Sequence, residues 1–139
     1  MKINSNDNSV FQIGEHRIEE VSSFNYLGSI IAVDGGATLD INSRISKARA
    51  AFGSLWPVWR SQQISRDLKL RIFNACVKSV LMYGSETWLA RQQEYNKIQV
   101  FINKCLRIIC QIFWSNKFRN EDFWNLCNQE PIHLQNKSR

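Results

Sequence analysis

The sequence predicts an α+β fold that is mostly helical, with a short β-hairpin or small antiparallel sheet followed by a three-helix bundle and a short fourth helix. Residues 10–36 are rich in β-branched and aromatic side chains separated by glycines, which is typical of short strands. From Thr38 onward, apolar residues recur at helical spacing. The 139 residues are 44% hydrophobic and 22% charged, which fits one globular domain and argues against disorder.

The β region is predicted to contain a hairpin and a further strand. Gly14 separates two short apolar segments, and glycine favours the tight turn of a hairpin. Phe24–Ile31 is predicted to be a strand, and Gly28 inside it indicates a bulge or the close approach of another backbone. The predicted divisions of the chain are a flexible tail at 1–9, strands at 10–36, a helical part at 37–130 and a second flexible tail at 131–139.

The first two helices have clear start and stop signals. Thr38 is a suitable N-cap for the first helix, and Pro57 is expected to end it. Ser65 is a suitable N-cap for the second helix, and Gly84 is a suitable stop. The second helix is apolar around most of its circumference, so it is predicted to be the most enclosed of the bundle.

The third helix is predicted over Gln92–Ile112, with one apolar face and one basic face. A fourth helix is expected to start at Asn120, where two acidic residues follow in the first turn and favour the positive end of the helix dipole. The predicted helices thus follow one another with short connections, as in a small bundle.

Positive charge is concentrated in the helical part. Residues 1–40 carry six acids and two bases, whereas residues 41–139 carry sixteen bases and six acids. Within a chain of net charge +6, this asymmetry favours a surface that contacts phosphates. A solvated charged face explains the same pattern equally well.

Helical geometry selects the candidate phosphate contacts. A cation in the first turn of a helix is disfavoured by the helix dipole, and a bound phosphate there would offset the cost. Two candidates lie beside the apolar stripe of the first helix, two in the first turn of the second and three on the basic face of the third. They are Arg44, Lys47, Arg66, Lys69, Lys97, Lys104 and Arg107.

The sequence contains no recognisable catalytic or metal-binding motif. The two histidines lie near opposite ends, and the four cysteines form no Cys-x-x-Cys pair, so the cysteines are predicted to be buried free thiols. Glu86 beside Trp88 is a candidate catalytic acid, although a structural polar contact is the more common role for such a residue. We expect no metal site, no cofactor and no small-molecule substrate.

The sequence also gives expectations about location. No segment is long and apolar enough to cross a membrane, and the first residues lack the apolar stretch of a signal peptide. We therefore expect an intracellular protein, nuclear or cytoplasmic, without a membrane partner.

Seven segments, taken in order along the chain, resemble the reverse transcriptases of non-LTR (LINE-like) retrotransposons. The resemblance covers roughly residues 10–132 and matches the region that follows the catalytic strands of the palm. The segments are Val21–Ile31, Asp34–Gly36, Ile45–Phe52, Ile64–Phe73, Leu81–Trp88, Lys104–Ile109 and Arg119–Asp122.

The resemblance implies the primer-grip and thumb region of an RNA-directed DNA polymerase. In such enzymes a Tyr-Leu-Gly strand holds the 3′ end of the primer, and here it corresponds to Tyr26, Leu27 and Gly28. The helices that follow form the thumb, which would bind an RNA–DNA or DNA duplex without sequence preference. The seven candidate phosphate contacts come from helical geometry, and the resemblance does not fix them individually.

The resemblance also implies that the catalytic residues lie elsewhere. The family's catalytic aspartates precede this region, so we expect this chain to hold none of them and to be inactive alone as a polymerase. Mg²⁺ would belong to the missing palm, and the missing fingers and palm segment is a further expected partner.

Two alternatives to this function stay open at the level of sequence. The β part could serve as a protein-interaction module, with Phe24, Tyr26 and Ile30 forming an exposed adhesive edge. The chain could also be a truncated retroelement copy with no independent activity.

Overall fold

The computed structural model describes residues 12–27, 29–33, 37–85, 90–112 and 119–135. Several positions singled out in the sequence lie outside these residues. They are the tail at 1–9, Gly28, the turn at 34–36, Glu86, Trp88 and the last four residues.

The structure confirms the mostly helical α+β class. Four short strands precede the helices, and they are β1 (Gln12–Ile13), β2 (His16–Arg17), β3 (Ser23–Tyr26) and β4 (Ser29–Ala32). The helices are α1 (Thr38–Ser54), α2 (Trp56–Arg60), α3 (Arg66–Ile72), a π-helical segment (Phe73–Lys78), α4 (Ser79–Met82), α5 (Gln92–Ile109), α6 (Asn120–Leu126) and α7 (Ile132–Gln135).

The strands form two separate antiparallel hairpins. In the first, Ile13 pairs with His16 around Gly14, whose φ of 62° suits glycine. In the second, Tyr26 pairs with Ser29, so the chain reverses between them. The prediction of one continuous strand over Phe24–Ile31 is therefore wrong, because a run of β-forming residues does not by itself reveal a tight turn within it.

Both predicted signals of α1 have different roles from those expected. The N-cap is Ala37, and Thr38 is already helical. The Thr38 hydroxyl instead donates a hydrogen bond to the carboxylate of Glu94 at the start of α5. Pro57 follows the end of α1 at Ser54 and opens the short helix α2, where proline is tolerated because the first N–H groups of a helix have no intrahelical partner.

The second predicted helix is observed as a continuous run from α3 through the π-helical segment to α4. The Ser65 hydroxyl caps it as predicted, accepting a hydrogen bond from the Leu68 amide at 3.3 Å. Phe73, Val77 and Leu81 are fully buried on one face, but Leu68 and Cys76 are exposed on the other. The prediction that this helix is the most enclosed of the bundle is therefore wrong, because only one face of it packs against its neighbours. The apolar periodicity of this segment does not indicate its π-helical turn.

The C-terminal half follows the prediction with two differences. Helix α5 ends at Ile109, three residues before the predicted Ile112, because Gln111 adopts a left-handed conformation with φ 55°. The predicted fourth helix is α6. The segment from residue 131, predicted to be a loose tail, contains α7, which is anchored because Ile132 is buried and its amide donates to Gln99 Oε1 at 2.8 Å.

The core is continuous between α1, the central run and α5. Trp59 stacks on Phe52 with ring centroids 5.0 Å apart, and Phe73 meets Phe52 edge-on at 6.4 Å. The indole N–H of Trp59 donates to the Phe52 carbonyl at 2.8 Å, so its polar atom is satisfied inside the core. Among the described helices, none has the length and apolar character needed to span a membrane.

Candidate nucleic-acid interface

A basic groove lies between α1 and α5. Its volume is about 440 Å³. Apolar side chains, amides and three cations line it, and none of the described lining residues is acidic. They are Asn42, Ile45 and Arg49 from α1, with Gln93, Asn96, Lys97, Val100, Phe101 and Lys104 from α5.

The groove exists because α1 and α5 lie side by side and run in the same direction. At their starts, Glu94 accepts a hydrogen bond from the Thr38 hydroxyl and a second one from the Arg91 amide at 2.7 Å. Eleven residues further along each helix, Arg49 lies close enough to Cys105 for its charge to act on the thiol. Because Glu94 is buried, its hydrogen bond with Thr38 fixes the position of the two helices along each other.

The groove cations are spaced along its length. Lys97 and Lys104 are two turns apart on α5, about 10 Å by helix geometry, and both are exposed. Arg49 faces them from α1 and is also exposed. Asn42 and Asn96 add amide donors, which together with cations are common partners of phosphate oxygens. The arrangement can hold a polyanion along the groove.

The positive charge of Arg49 in the groove also acts on the buried thiol of Cys105. Burial raises the pKa of Cys105 to about 12, although the positive charge of Arg49 acts in the opposite direction. Cys105 therefore stays protonated at neutral pH and adds no negative charge under the groove.

Two of the predicted phosphate contacts are buried, which corrects the sequence-based assignment. Arg44 is 5% exposed, ion-paired with Asp40 at 3.7 Å and placed over the ring of Tyr83 at 5.1 Å. Lys69 is 4% exposed, and its ammonium donates to the carbonyl oxygen of Trp59 at 3.0 Å. Each charge has a partner inside the fold, so neither side chain is presented to a phosphate in solution.

The other predicted cations do not share one surface. Lys97 and Lys104 lie in the groove, as described. Lys47 is exposed but lies two residues from Arg49, which places it on the opposite side of α1. Arg66 acts on the thiols of Cys110 and Cys127, and the guanidinium of Arg107 lies 5.4 Å from the ring centroid of Phe123 in α6.

The residues compared with a primer grip lie at the tip of the second hairpin. Tyr26 is 59% exposed and Leu27 is 79% exposed. Leu27 has a φ of 48°, a left-handed conformation that is uncommon for leucine. Gly28 lies outside the described residues. The hairpin is attached to α1 close to this tip, because the amide of Ile30, the residue after the turn pair Tyr26–Ser29, donates to Asp40 Oδ1 at 3.1 Å.

The cysteines only partly match the prediction of buried thiols. Cys105 and Cys127 are buried, Cys110 is half-buried and Cys76 is exposed, and all four are free. Cys76 is exposed because the central run presents its outer side to solvent at that position. In the part of the chain that the structure describes, no three His, Cys, Asp or Glu side chains converge as metal ligands.

Sequence reasoning missed Arg49, the groove cation contributed by α1. Its position four residues after Ile45, at the border of the predicted apolar stripe, was the available signal. That signal becomes informative only once α5 is known to lie beside α1.

Comparisons with known proteins add a single match. A family described as a domain of unknown function (DUF6451) matches residues 51–83, which run from the end of α1 to the end of the central run. No curated protein matches the chain. No solved structure matches it either. The matched family is described without an activity, so a functional argument has to come from the residues themselves.

Proposed function

We propose that this chain is the primer-grip and thumb part of a reverse transcriptase of the non-LTR retrotransposon type, and that it binds template–primer duplex through backbone phosphates. The duplex would be an RNA–DNA hybrid or DNA. The proposal rests on the ordered sequence resemblance together with the basic groove between α1 and α5.

The groove is the observation that carries the binding proposal. It brings Arg49, Lys97 and Lys104 onto one concave surface, and none of the described residues lining it is acidic. Cations so placed neutralise phosphates whatever the base sequence, since the phosphate backbone is the same for every sequence.

The exposed hairpin tip supports the primer-grip part of the proposal. Tyr26 and Leu27 are exposed to solvent, while β4 is held against α1 by the hydrogen bond from the Ile30 amide to Asp40 and by the buried Ala32. A rigidly anchored hairpin with an exposed tip can reach a bound strand. The catalytic carboxylates and Mg²⁺ belong, on this proposal, to a fingers and palm segment that acts as partner to this chain.

This function fits an intracellular location, nuclear or cytoplasmic, where template RNA and target DNA are found. It requires no small-molecule substrate and no cofactor on this chain.

The direct test is a titration of the full chain into a fluorescently labelled RNA–DNA hybrid, followed by anisotropy between about 50 and 200 mM salt. Three groove cations that each neutralise a phosphate predict a slope of log affinity against log salt of about −2.7. An affinity that does not change with salt would contradict phosphate binding.

A second assay tests whether this chain binds the primer–template while a separate palm segment carries out catalysis. With a primed RNA template, Mg²⁺ and nucleotides, the chain alone is expected to bind the primer–template but not to extend it. Robust primer extension would overturn the assignment of catalysis to a separate segment.

A specific observation favours a second candidate, a protein-interaction module. The hairpins and the segment that joins them expose several large apolar side chains at 39–79% of their surface, and two-stranded sheets leave strand edges unpaired. These side chains are Ile13, Ile18, Val21, Phe24, Tyr26 and Leu27.

Light scattering after size exclusion distinguishes the two functions. A monomer that forms a complex with duplex supports nucleic-acid binding, whereas self-association unaffected by duplex supports the interaction module.

A further inference from the structure

Two cysteines from different helices meet in the structure. Cys110 is the C-cap residue that follows α5, and Cys127 is the C-cap residue that follows α6. Their sulfur atoms are 3.3 Å apart, although the cysteines lie 17 positions apart along the chain. A disulfide has a sulfur–sulfur distance near 2.05 Å, so an approach of about 1.3 Å would join them.

The two thiols have different surroundings. Cys110 is half-buried and accessible to a small oxidant, whereas Cys127 is 1% exposed. The two thiols share a hydrogen bond in which either sulfur can donate, and this bond lowers the pKa of Cys110 while it raises that of Cys127. The positive charge of Arg66 acts on both and favours the thiolate form. An accessible cysteine with a lowered pKa and a second thiol 3.3 Å away is typical of a reactive cysteine and its resolving partner.

We propose that Cys110 and Cys127 form a peroxide-responsive dithiol site, in which Cys110 is oxidised first and Cys127 then closes a disulfide between α5 and α6. In the first step, the Cys110 thiolate attacks hydrogen peroxide, the O–O bond breaks, and the products are a sulfenic acid and hydroxide. In the second, the Cys127 sulfur attacks the sulfenic sulfur, the S–O bond breaks, and water leaves with the thiol proton. Peroxide is reduced by two electrons, and the two thiols are oxidised by two.

The disulfide would fasten α6 to the end of α5. Within the described residues, α6 is held to α5 by the contact of Arg107 with Phe123 and by a hydrogen bond from Trp124 to Asn103 at 2.9 Å. A disulfide between them would lower the conformational entropy of the unfolded chain in the segment that it closes, and would therefore stabilise the folded state. The site does not depend on the proposed nucleic-acid function, and either can fail without the other.

The remaining cysteines serve as internal controls. Cys76 is exposed and open to the oxidant, so it reports simple accessibility. Cys105 is buried, and its pKa of about 12 keeps it a thiol at neutral pH. If accessibility alone decided oxidation, Cys76 would react first; if proximity and thiolate character decide it, Cys110 and Cys127 react together.

The experiment treats the full reduced chain with a small excess of hydrogen peroxide, blocks remaining thiols with N-ethylmaleimide and maps tryptic peptides without reduction. Trypsin cleaves after Lys117 and Arg119, so Cys110 and Cys127 fall on different peptides. The expected product is one cross-linked pair of these two peptides, 2 Da lighter than their sum, which disappears on reduction. Cys76 is expected to be recovered largely as its maleimide adduct.

Two further measurements make the outcome decisive. In the Cys127→Ser variant, the sulfenic acid on Cys110 persists and is trapped by dimedone, while Cys76→Ser leaves the cross-link unchanged. The oxidised wild-type chain melts about 5 °C or more above the reduced chain. The proposal is overturned if the oxidised wild-type chain keeps Cys110 and Cys127 as maleimide adducts, or if oxidation instead yields chains joined through Cys76.

Discussion

Lys69 shows how a buried cation can stabilise this fold without meeting a ligand. Its ammonium donates to the carbonyl of Trp59 in the last turn of α2, a position where a short helix leaves carbonyl groups unpaired. A cation there also interacts favourably with the negative end of the helix dipole.

We predict that Lys69→Met lowers the free energy of unfolding by about 1 kcal/mol, because the Trp59 carbonyl loses its partner while the apolar stem is kept. Duplex affinity is expected to stay within twofold of wild type. Urea denaturation and anisotropy measure the two quantities on the same sample. A large loss of affinity with unchanged stability would instead place Lys69 in the binding surface.

Glu94 is the acid that joins the two groove helices. It is 7% exposed and accepts hydrogen bonds from the Thr38 hydroxyl and the Arg91 amide. We predict that Glu94→Ala destabilises the chain by about 2 kcal/mol, since a helix cap is lost and two donors are left without their partner. Glu121→Ala, at an exposed position in α6, is the control and is expected to change stability by less than about 0.5 kcal/mol in urea denaturation. Equal effects of the two substitutions would contradict this role for Glu94.

The two hairpins differ in how well their turns suit the residues that occupy them. Gly14 has a φ of 62° at the first turn, and Leu27 has a φ of 48° at the second. A left-handed conformation costs a leucine roughly 1–2 kcal/mol, and glycine does not bear that cost.

We predict that Leu27→Gly stabilises the second hairpin by about 0.5 kcal/mol, after the greater flexibility of glycine in the unfolded chain is allowed for. Amide hydrogen exchange in β3 and β4 should slow about twofold. Gly14→Ala in the first hairpin is the control with the opposite expected effect. Its added methyl group meets open space, so the substitution costs only the free energy of holding alanine in a left-handed conformation. Amide exchange in β1 and β2 should therefore become faster. Faster exchange in β3 and β4 of Leu27→Gly would show that the leucine side chain, rather than its backbone strain, controls this turn.

At the scale of elements, local signals predicted the helices better than the strands. Helical periodicity extends over many residues, so Ser65 and the apolar run after it located the central helix correctly. The reversal between Tyr26 and Ser29 and the anchoring of Ile132 depend on contacts that short segments do not encode on their own.

The candidate site was only partly predictable for a similar reason. The seven-residue spacing of Lys97 and Lys104 sufficed to place both on one face of α5. Arg49 joins them through the pairing of α1 with α5, which the sequence pattern does not specify. Helical geometry places Arg44 beside the apolar stripe of α1 and so predicts a surface position, but Asp40 and Tyr83 provide partners for it within the fold.

At the scale of the whole molecule, binding at one defined surface differs from attraction by a general excess of positive charge. The chain carries a net charge of +6, and any polyanion is attracted to it to some degree. Binding at the groove requires more than net charge, because Arg49, Lys97 and Lys104 would provide most of the affinity for duplex. Other exposed cations are then expected to contribute little to that affinity.

The most direct test compares two triple variants of equal net charge in binding to an RNA–DNA hybrid. One replaces Arg49, Lys97 and Lys104 with glutamine. The other makes the same change at three exposed cations outside the groove, Lys47, Arg60 and Arg71. The groove variant is expected to lose about tenfold or more in affinity and most of its salt dependence, while the control stays within about threefold of wild type. Equal losses in both variants would contradict the groove as the binding surface.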